Sequence, residues 1–352
     1  MERDHQQEGC CMTVDNQQTP WWETHDSIFF KPTAADDFLH PEANALVEGD
    51  SVSETQYFGF NIPEKRIYGL LYLWHHPHLG VVLGGAWVVQ GFVRHSFQSE
   101  IFDFVTYEND RCLTRDLHDV HLSNGYRTSV IEPLKRHRVR YTDDRRGNHI
   151  DIEFEALMPP ALTKGGLHFE QGMRATGTVT LAGEEHPVEC FNVRDRSWGA
   201  VRPENVQPFA PFPWMNCVFG EDLVFACTAL DTPDTNPEWE GTLSRPVEGS
   251  LINGWVWRDD ELVAIASVTR KRTRRDADSL LPTSAELAFV DARGRDYHLT
   301  AEILAGGNWR TWQNFDAAYC LARWELDGRV SYGDFQEVQG ADYIRHFMRR
   351  QP

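Results

Sequence analysis

His149-Ile-Asp-Ile-Glu-Phe-Glu-Ala156 alternates with a period of two. Ile150, Ile152, Phe154 and Ala156 fall on one side of an extended chain, and His149, Asp151, Glu153 and Glu155 on the other, because successive side chains of a strand point to opposite faces. The stretch reads as a β-strand with one buried face. Its polar face is expected to be solvated, with a polar cavity as the alternative.

The same theme repeats in both directions. Tyr57–Phe60, Ile67–Trp74, Gly85–Gly91, Tyr126–Ile131 and Met173–Leu181 are apolar or alternating runs bounded by Gly, Pro, Asn and Asp, the punctuation of strands and turns. Further runs follow at 214–219, 223–230, 251–257, 261–269, 284–290, 296–304 and 319–325. Long helical periodicity is hard to find. The fold class is all-β, and the length of 352 residues exceeds what one core usually serves. Antiparallel strands in this number need covered edges, which barrel closure supplies.

Residues 1 to about 20 are polar, and order is expected to begin near Trp21-Trp22. The link Arg202–Pro213 carries four prolines and cannot be regular helix or central strand; it is expected to join two halves. The halves are placed at 21–190 and 191–345. The segment 231–248 reads as a loop or flap, and the tail 341–350 as one closing helix or strand.

A formal charge of −19 argues against a nucleic-acid partner, because phosphate binding wants a basic face. No run of about 18 apolar residues suggests a transmembrane span, and the polar start lacks the order of a secretory signal. Seven cysteines without paired CxxC spacing favour neither a disulfide scaffold nor a zinc–thiolate site, and the adjacent Cys10-Cys11 has no reading. A reducing cytoplasm is the simplest compartment.

The strongest chemical signal is Arg194-Asp-Arg-Ser-Trp-Gly199, with Arg202 just beyond. Charges concentrated like this must be paired if they are buried. At most one of Arg194 and Arg196 is expected to flank the Asp195 carboxylate. Three readings stay open: a structural brace, a proton donor facing an aromatic cavity, and anion recognition by the arginines. His168 and Glu170 are two apart and share a face if extended, which permits an acid–base or water-orienting pair, or a hydrogen-bonded pair without chemistry. Trp255 and Trp257 share a face by the same rule, within a set of twelve tryptophans that are mostly core or lid residues. His75, His76 and His78 resemble a metal site only superficially, since adjacent histidines on an extended chain diverge and no carboxylate spacing accompanies them. No GxSxG, GxxxxGK[ST] or GxGxxG motif is present. Any chemistry is therefore expected to be cofactor-independent and metal-free.

The Asp195-Arg-Ser-Trp-Gly199 run, the His168-Phe-Glu-Gln171 run and the two-part all-β layout resemble the AttH/CrtC-type tandem lipocalin-like superfamily, whose members include carotenoid 1,2-hydratases and terpenoid cyclases. The resemblance implies two lipocalin-like antiparallel β-barrels packed side by side, with a hydrophobic small molecule bound at the junction. It also implies a hydratase or cyclase in which Asp195 protonates an alkene, Arg196 orients it, and Glu170 or His168 positions water. Trp198 would line the pocket, with Arg194, Trp214, Trp255 and Trp257 also on the substrate side. A carrier that binds a hydrophobic ligand without changing it is the competing reading. A structural interaction module is the reading that two barrels filled with side chains would favour.

Overall fold

The computed structural model describes residues 32–49, 52–163, 166–201, 210–232, 249–312 and 315–348. Trp21-Trp22, Cys10-Cys11, Trp239, most of the 202–213 link and most of the 231–248 segment lie outside them.

The strand expected at 149–156 runs Asn148–Ala156. Ile150, Ile152 and Phe154 are buried in a hydrophobic core, as the alternation requires. The opposite face meets solvent and is paired across the sheet, with Arg138 donating to both Asp151 oxygens at 2.7 and 2.6 Å. Of the two options for that face, solvent is the one realised.

Ten antiparallel strands form the first sheet in the order Ile101–Asn109, Val81–Gln90, Ile67–His76, Val52–Ile62, Glu184–Val201, His168–Leu181, Asn148–Ala156, Arg136–Asp143, Arg127–Glu132 and Asp119–His121. Ala161–Leu162 adds an eleventh beside His168–Leu181. The two end strands do not pair, so this half is a curled, open sheet. The second half closes fully. Its eight strands, Phe212–Gly220, Leu223–Ala229, Leu251–Arg258, Glu261–Arg275, Pro282–Asp291, Asp296–Trp312, Phe315–Leu326 and Arg329–Gly340, pair in sequence, and the first strand pairs with the last to complete the ring. Pro213 sits at the second position of its strand, opposite Glu337, so the strand takes in the end of the proline-rich link. Ala341–Met348 is the closing helix.

The division expected at 190/191 falls inside the strand Glu184–Val201, which is bonded along its length to His168–Leu181 and at its end to Val52–Ile62. Hydrogen bonding therefore keeps the Arg-Asp-Arg span in the first sheet. The halves part between Val201 and Phe212, and the short strand Phe92–Val93 of the first half pairs in parallel with Gly306-Gly307 of the barrel.

Both interiors are packed with side chains, the first around Phe58, Phe60 and Phe154 and the second around Phe225, Phe289 and Trp324. The barrel also buries a chain of ion pairs, Lys271 to Asp231 at 2.5 Å, Asp231 to Arg275 at 3.0 Å and Arg275 to Glu337 at 2.6 Å. A third apolar layer lies between the halves, built from Tyr57, Tyr68, Trp87, Val193, Trp255 and Trp309. Every residue of Val52–Ile62 is buried, because this strand has a core on one side and the junction on the other.

Candidate functional site at the junction of the two halves

Alternation along Glu184–Val201 decides where the charged span points. Arg194 and Arg196 are two apart and share the face turned into the first half, whereas Asp195 takes the opposite face. Each arginine is 1% exposed. Arg194 donates to Asp37 Oδ1 at 2.8 Å and to Gln171 Oε1 at 2.9 Å, and its guanidinium lies 4.9 Å from the Phe169 ring centroid. Arg196 donates to the carbonyls of Phe38 at 2.6 Å and Thr55 at 3.0 Å, and to Glu54 Oε2 at 3.2 Å. The expectation that Arg196 orients Asp195 gives way to this geometry, in which the guanidinium partners are Asp37 and Glu54.

These partners are buried charges matched to buried charges. Burial alone would raise the Asp37 carboxyl, but Arg194 and His137 outweigh it and hold it well below the usual carboxylate range. Burial, helped by Arg194, pushes His137 down to about 4, so this imidazole is neutral at neutral pH. Glu54 is likewise held low against burial by His40 and Arg196. Trp198 stands on the arginines' face, stacked on His40 at 3.9 Å and edge-on to Phe169. It closes the end of the first half and does not line the junction with Asp195.

The other face of the same strand looks toward the barrel. Asp195 is opposite Tyr57 on one neighbouring strand and Glu170 on the other, so the three side chains stand in a row. Glu170 is 2% exposed and gripped by two indoles of the barrel: Trp214 donates to Oε1 at 2.6 Å and Trp255 to Oε2 at 2.5 Å. His168 Nε2 approaches Oε1 at 3.4 Å from the partly exposed rim. Trp214 also meets the Tyr57 ring edge-on at 5.6 Å. The junction thus brings together Asp195, Glu170, His168, Trp214 and Trp255. Trp257 packs beside them in the same apolar layer, its indole donating to the Glu221 carbonyl at 3.1 Å. A Trp255→Phe substitution should lose this hydrogen bond and leave a buried acceptor unsatisfied, at a cost of about 1–3 kcal/mol, seen as a lower urea midpoint.

Sequence reasoning missed one carboxyl. Asp334 lies on the barrel strand Arg329–Gly340 and is fully buried at the junction. The Tyr57 hydroxyl donates to its Oδ2 at 2.9 Å, Asn192 Nδ2 to Oδ1 and Asn216 Nδ2 to Oδ2, both at 3.3 Å. Burial pushes this carboxyl up to about 6 against those hydrogen bonds, which favour its charged form. A Cβ at Gly59 would run into the Tyr57 hydroxyl and the Asn192 amide, so glycine makes the room for this cluster. The only signal in the sequence was a lone aspartate between Gly333 and Phe335 in an otherwise barrel-like strand. Beside the cluster the junction opens into a groove of about 370 Å³, lined in part by Asn61, Phe191 and Tyr332.

The histidines of 75–78 do not converge. His75 Nε2 lies 3.4 Å from Asp110, the His76 ring packs against Trp74, and the two His78 nitrogens meet the carbonyls of Gly49 and Asn44. Among the described residues no group of three or more His, Cys, Asp or Glu is placed to hold a metal ion.

An open β-sheet and a closed eight-stranded barrel, packed over an aromatic junction that carries carboxylates, define a two-part all-β protein. Within that class, the family model described as domain of unknown function (DUF7064) matches residues 33–341, and the chain belongs to this family. Among solved structures it is similar to an AttH protein from Nitrosomonas europaea, 14% identical over 86% of this chain and 97% of that one, with a TM-score of 0.55. CghA is 12% identical over 90% of this chain and 98% of that one, with a TM-score of 0.54. Kievitone hydratase from Nectria haematococca is 13% identical over 90% and 97%, with a TM-score of 0.48. At such identities the likeness shows the fold alone. No curated protein matches the chain. No helix among the described residues is long and apolar enough to cross a membrane.

Proposed function

We propose that the chain is a cofactor-independent hydratase or cyclase that protonates an alkene of a lipophilic, terpenoid-like small molecule at the junction of its halves. The observation that carries this reading is the row Glu170–Asp195–Tyr57 facing Trp214 and Trp255. Asp195 is the proton donor. Glu170, gripped by two indoles, and Tyr57 stand beside it on that face. Protonating an unactivated alkene creates a carbocation, which aromatic faces stabilise and stray water destroys. His168, at the rim 3.4 Å from Glu170, is the group assigned to hold the water that a hydratase adds.

The packed interiors of both halves favour a second reading, an interaction module without chemistry. Asp195→Asn separates the readings. Wild type is incubated in D₂O with farnesol and geranylgeraniol, and deuterium in the recovered material is read by mass spectrometry. Incorporation by wild type and its loss in the variant support the enzyme. Incorporation that persists in the variant overturns the role of Asp195, ligand retained by both without incorporation identifies a carrier, and neither incorporation nor retention identifies the interaction module.

A further inference from the structure

We infer that Asp334, hydrogen-bonded by Tyr57, is the proton acceptor of the same site, a role that rests on the proposed protonation chemistry. Asp334 is a fully buried carboxyl whose hydrogen-bond partners, Tyr57, Asn192 and Asn216, are all neutral. Every other fully buried carboxyl discussed above has a cation or a pair of indoles to hold it. A buried charge without a cation costs stability, and retaining one is characteristic of functional positions.

Its position fits a ligand. Tyr332 is two residues from Asp334 on the same strand face. Asn61 shares the face of Tyr57, with the side-chain-free Gly59 between them. Asn61, Phe191 and Tyr332 line the groove together with Glu64 and Glu189, and Tyr332 connects its wall to Asp334 along the strand Arg329–Gly340. Its volume, about 370 Å³, falls in the range of small-molecule sites. Tyr57 links two of the junction's carboxyls, opposite Asp195 in register and bonded to Asp334 through its hydroxyl.

The balance of the reaction requires such a group. The alkene π pair takes the Asp195 proton, leaving a carbocation and the Asp195 carboxylate. In a hydration, a water lone pair forms the C–O bond and the proton shed by that oxygen passes to the Asp334 carboxylate. In a cyclisation, a second alkene forms the C–C bond; a C–H proton beside the final cation goes to Asp334, and the C–H electrons become the new double bond. Solvent then returns one proton to Asp195 and removes one from Asp334.

The titratable groups facing Asp334 leave it alone to change charge near neutrality. Burial raises the phenols of Tyr57 and Tyr68 well above their ordinary values, and the charge of Asp334 adds to the rise. The Cys190 thiol is pushed up to about 12 by burial, and the Cys217 and Cys320 thiols higher still. The Tyr57 hydrogen bond favours the charged carboxyl, so its removal should raise the pH at which Asp334 ionises.

Two arms test the assignment. Without substrate, the infrared band of protonated carboxyls is followed against pH in wild type, Asp334→Asn and Tyr57→Phe. A band titrating near pH 6, absent from D334N and displaced to higher pH in Y57F, is expected. The urea midpoint of D334N should also gain on wild type from about pH 4.5 to about pH 7.5, because a carboxyl with a raised folded value loses stability as it ionises. With geranylgeraniol in D₂O, D334N should still place deuterium in recovered substrate but form hydrated or cyclised product about 10²–10⁴-fold more slowly, whereas D195N does neither. A wild-type product rate in D334N, or a carboxyl band that Y57F does not move, overturns the inference. If D195N stays silent in the former case, the proposed function survives; if D195N keeps turnover, that reading fails separately.

Discussion

Replacing Arg194 by methionine is expected to cost about 3–5 kcal/mol of stability at neutral pH, because it leaves the buried Asp37 carboxylate without its cation. The pair is 2.8 Å apart, with side chains 1% and 0% exposed, so water cannot take over. Methionine preserves much of the length of the side chain and its contact with Phe169, which isolates the loss of charge. Urea denaturation at several pH values checks both size and sign. In wild type, Asp37 is held low and His137 sits near 4, so the folded state binds fewer protons than the unfolded one. Stability should therefore be full above about pH 6.5 and fall as His137 and then Asp37 protonate. In the variant His137 is released from Arg194 and can charge beside Asp37, 3.1 Å away. The penalty of the substitution should be smaller at about pH 5.5 than at about pH 7.5. An R194M protein as stable as wild type at neutral pH would remove the brace.

Asp195→Asn is expected to do the opposite, lowering kcat about 10²–10⁴-fold while leaving the fold nearly intact. The amide keeps the size of the side chain and cannot deliver a proton. The braces of Arg194 with Asp37 and of Arg196 with Glu54 are left in place, so D195N should stay folded and unfold cooperatively in urea. Ligand affinity should also persist, since the apolar wall is untouched. Stability and turnover measured together on R194M and D195N thus separate the two faces of one strand. Collapse of D195N would reassign Asp195 to the brace.

Much of the architecture was legible because strand periodicity is local. The apolar face of 149–156 went where its alternation pointed, and the pairing of His168 with Glu170 followed from a spacing of two. Strands Ile101–Asn109, Arg136–Asp143 and Arg329–Gly340 were passed over. Arg136–Asp143 is crowded with arginines, whose long stems lie along the sheet while their heads reach Asp151 and Glu153. The boundary at 190 was misplaced for a related reason. Composition changes at the charged span, but hydrogen bonding carries the strand through it to Val201.

The all-β class, the division into two parts and the need for the charges of 194–196 to be matched wherever they are buried are all legible in the sequence. Alternation, turn residues and the cost of an unpaired charge act over a few neighbours and need no partner to be known. Only the tertiary structure decided which partners those charges have, since Asp37 is 157 residues before Arg194, Glu54 is 142 before Arg196, and Asp334 is 277 after Tyr57. A strand's two faces are equivalent until the sheet is packed. Folding over the barrel turned one face of the Arg-Asp-Arg span into a brace and the other, with Asp195, toward the aromatic junction.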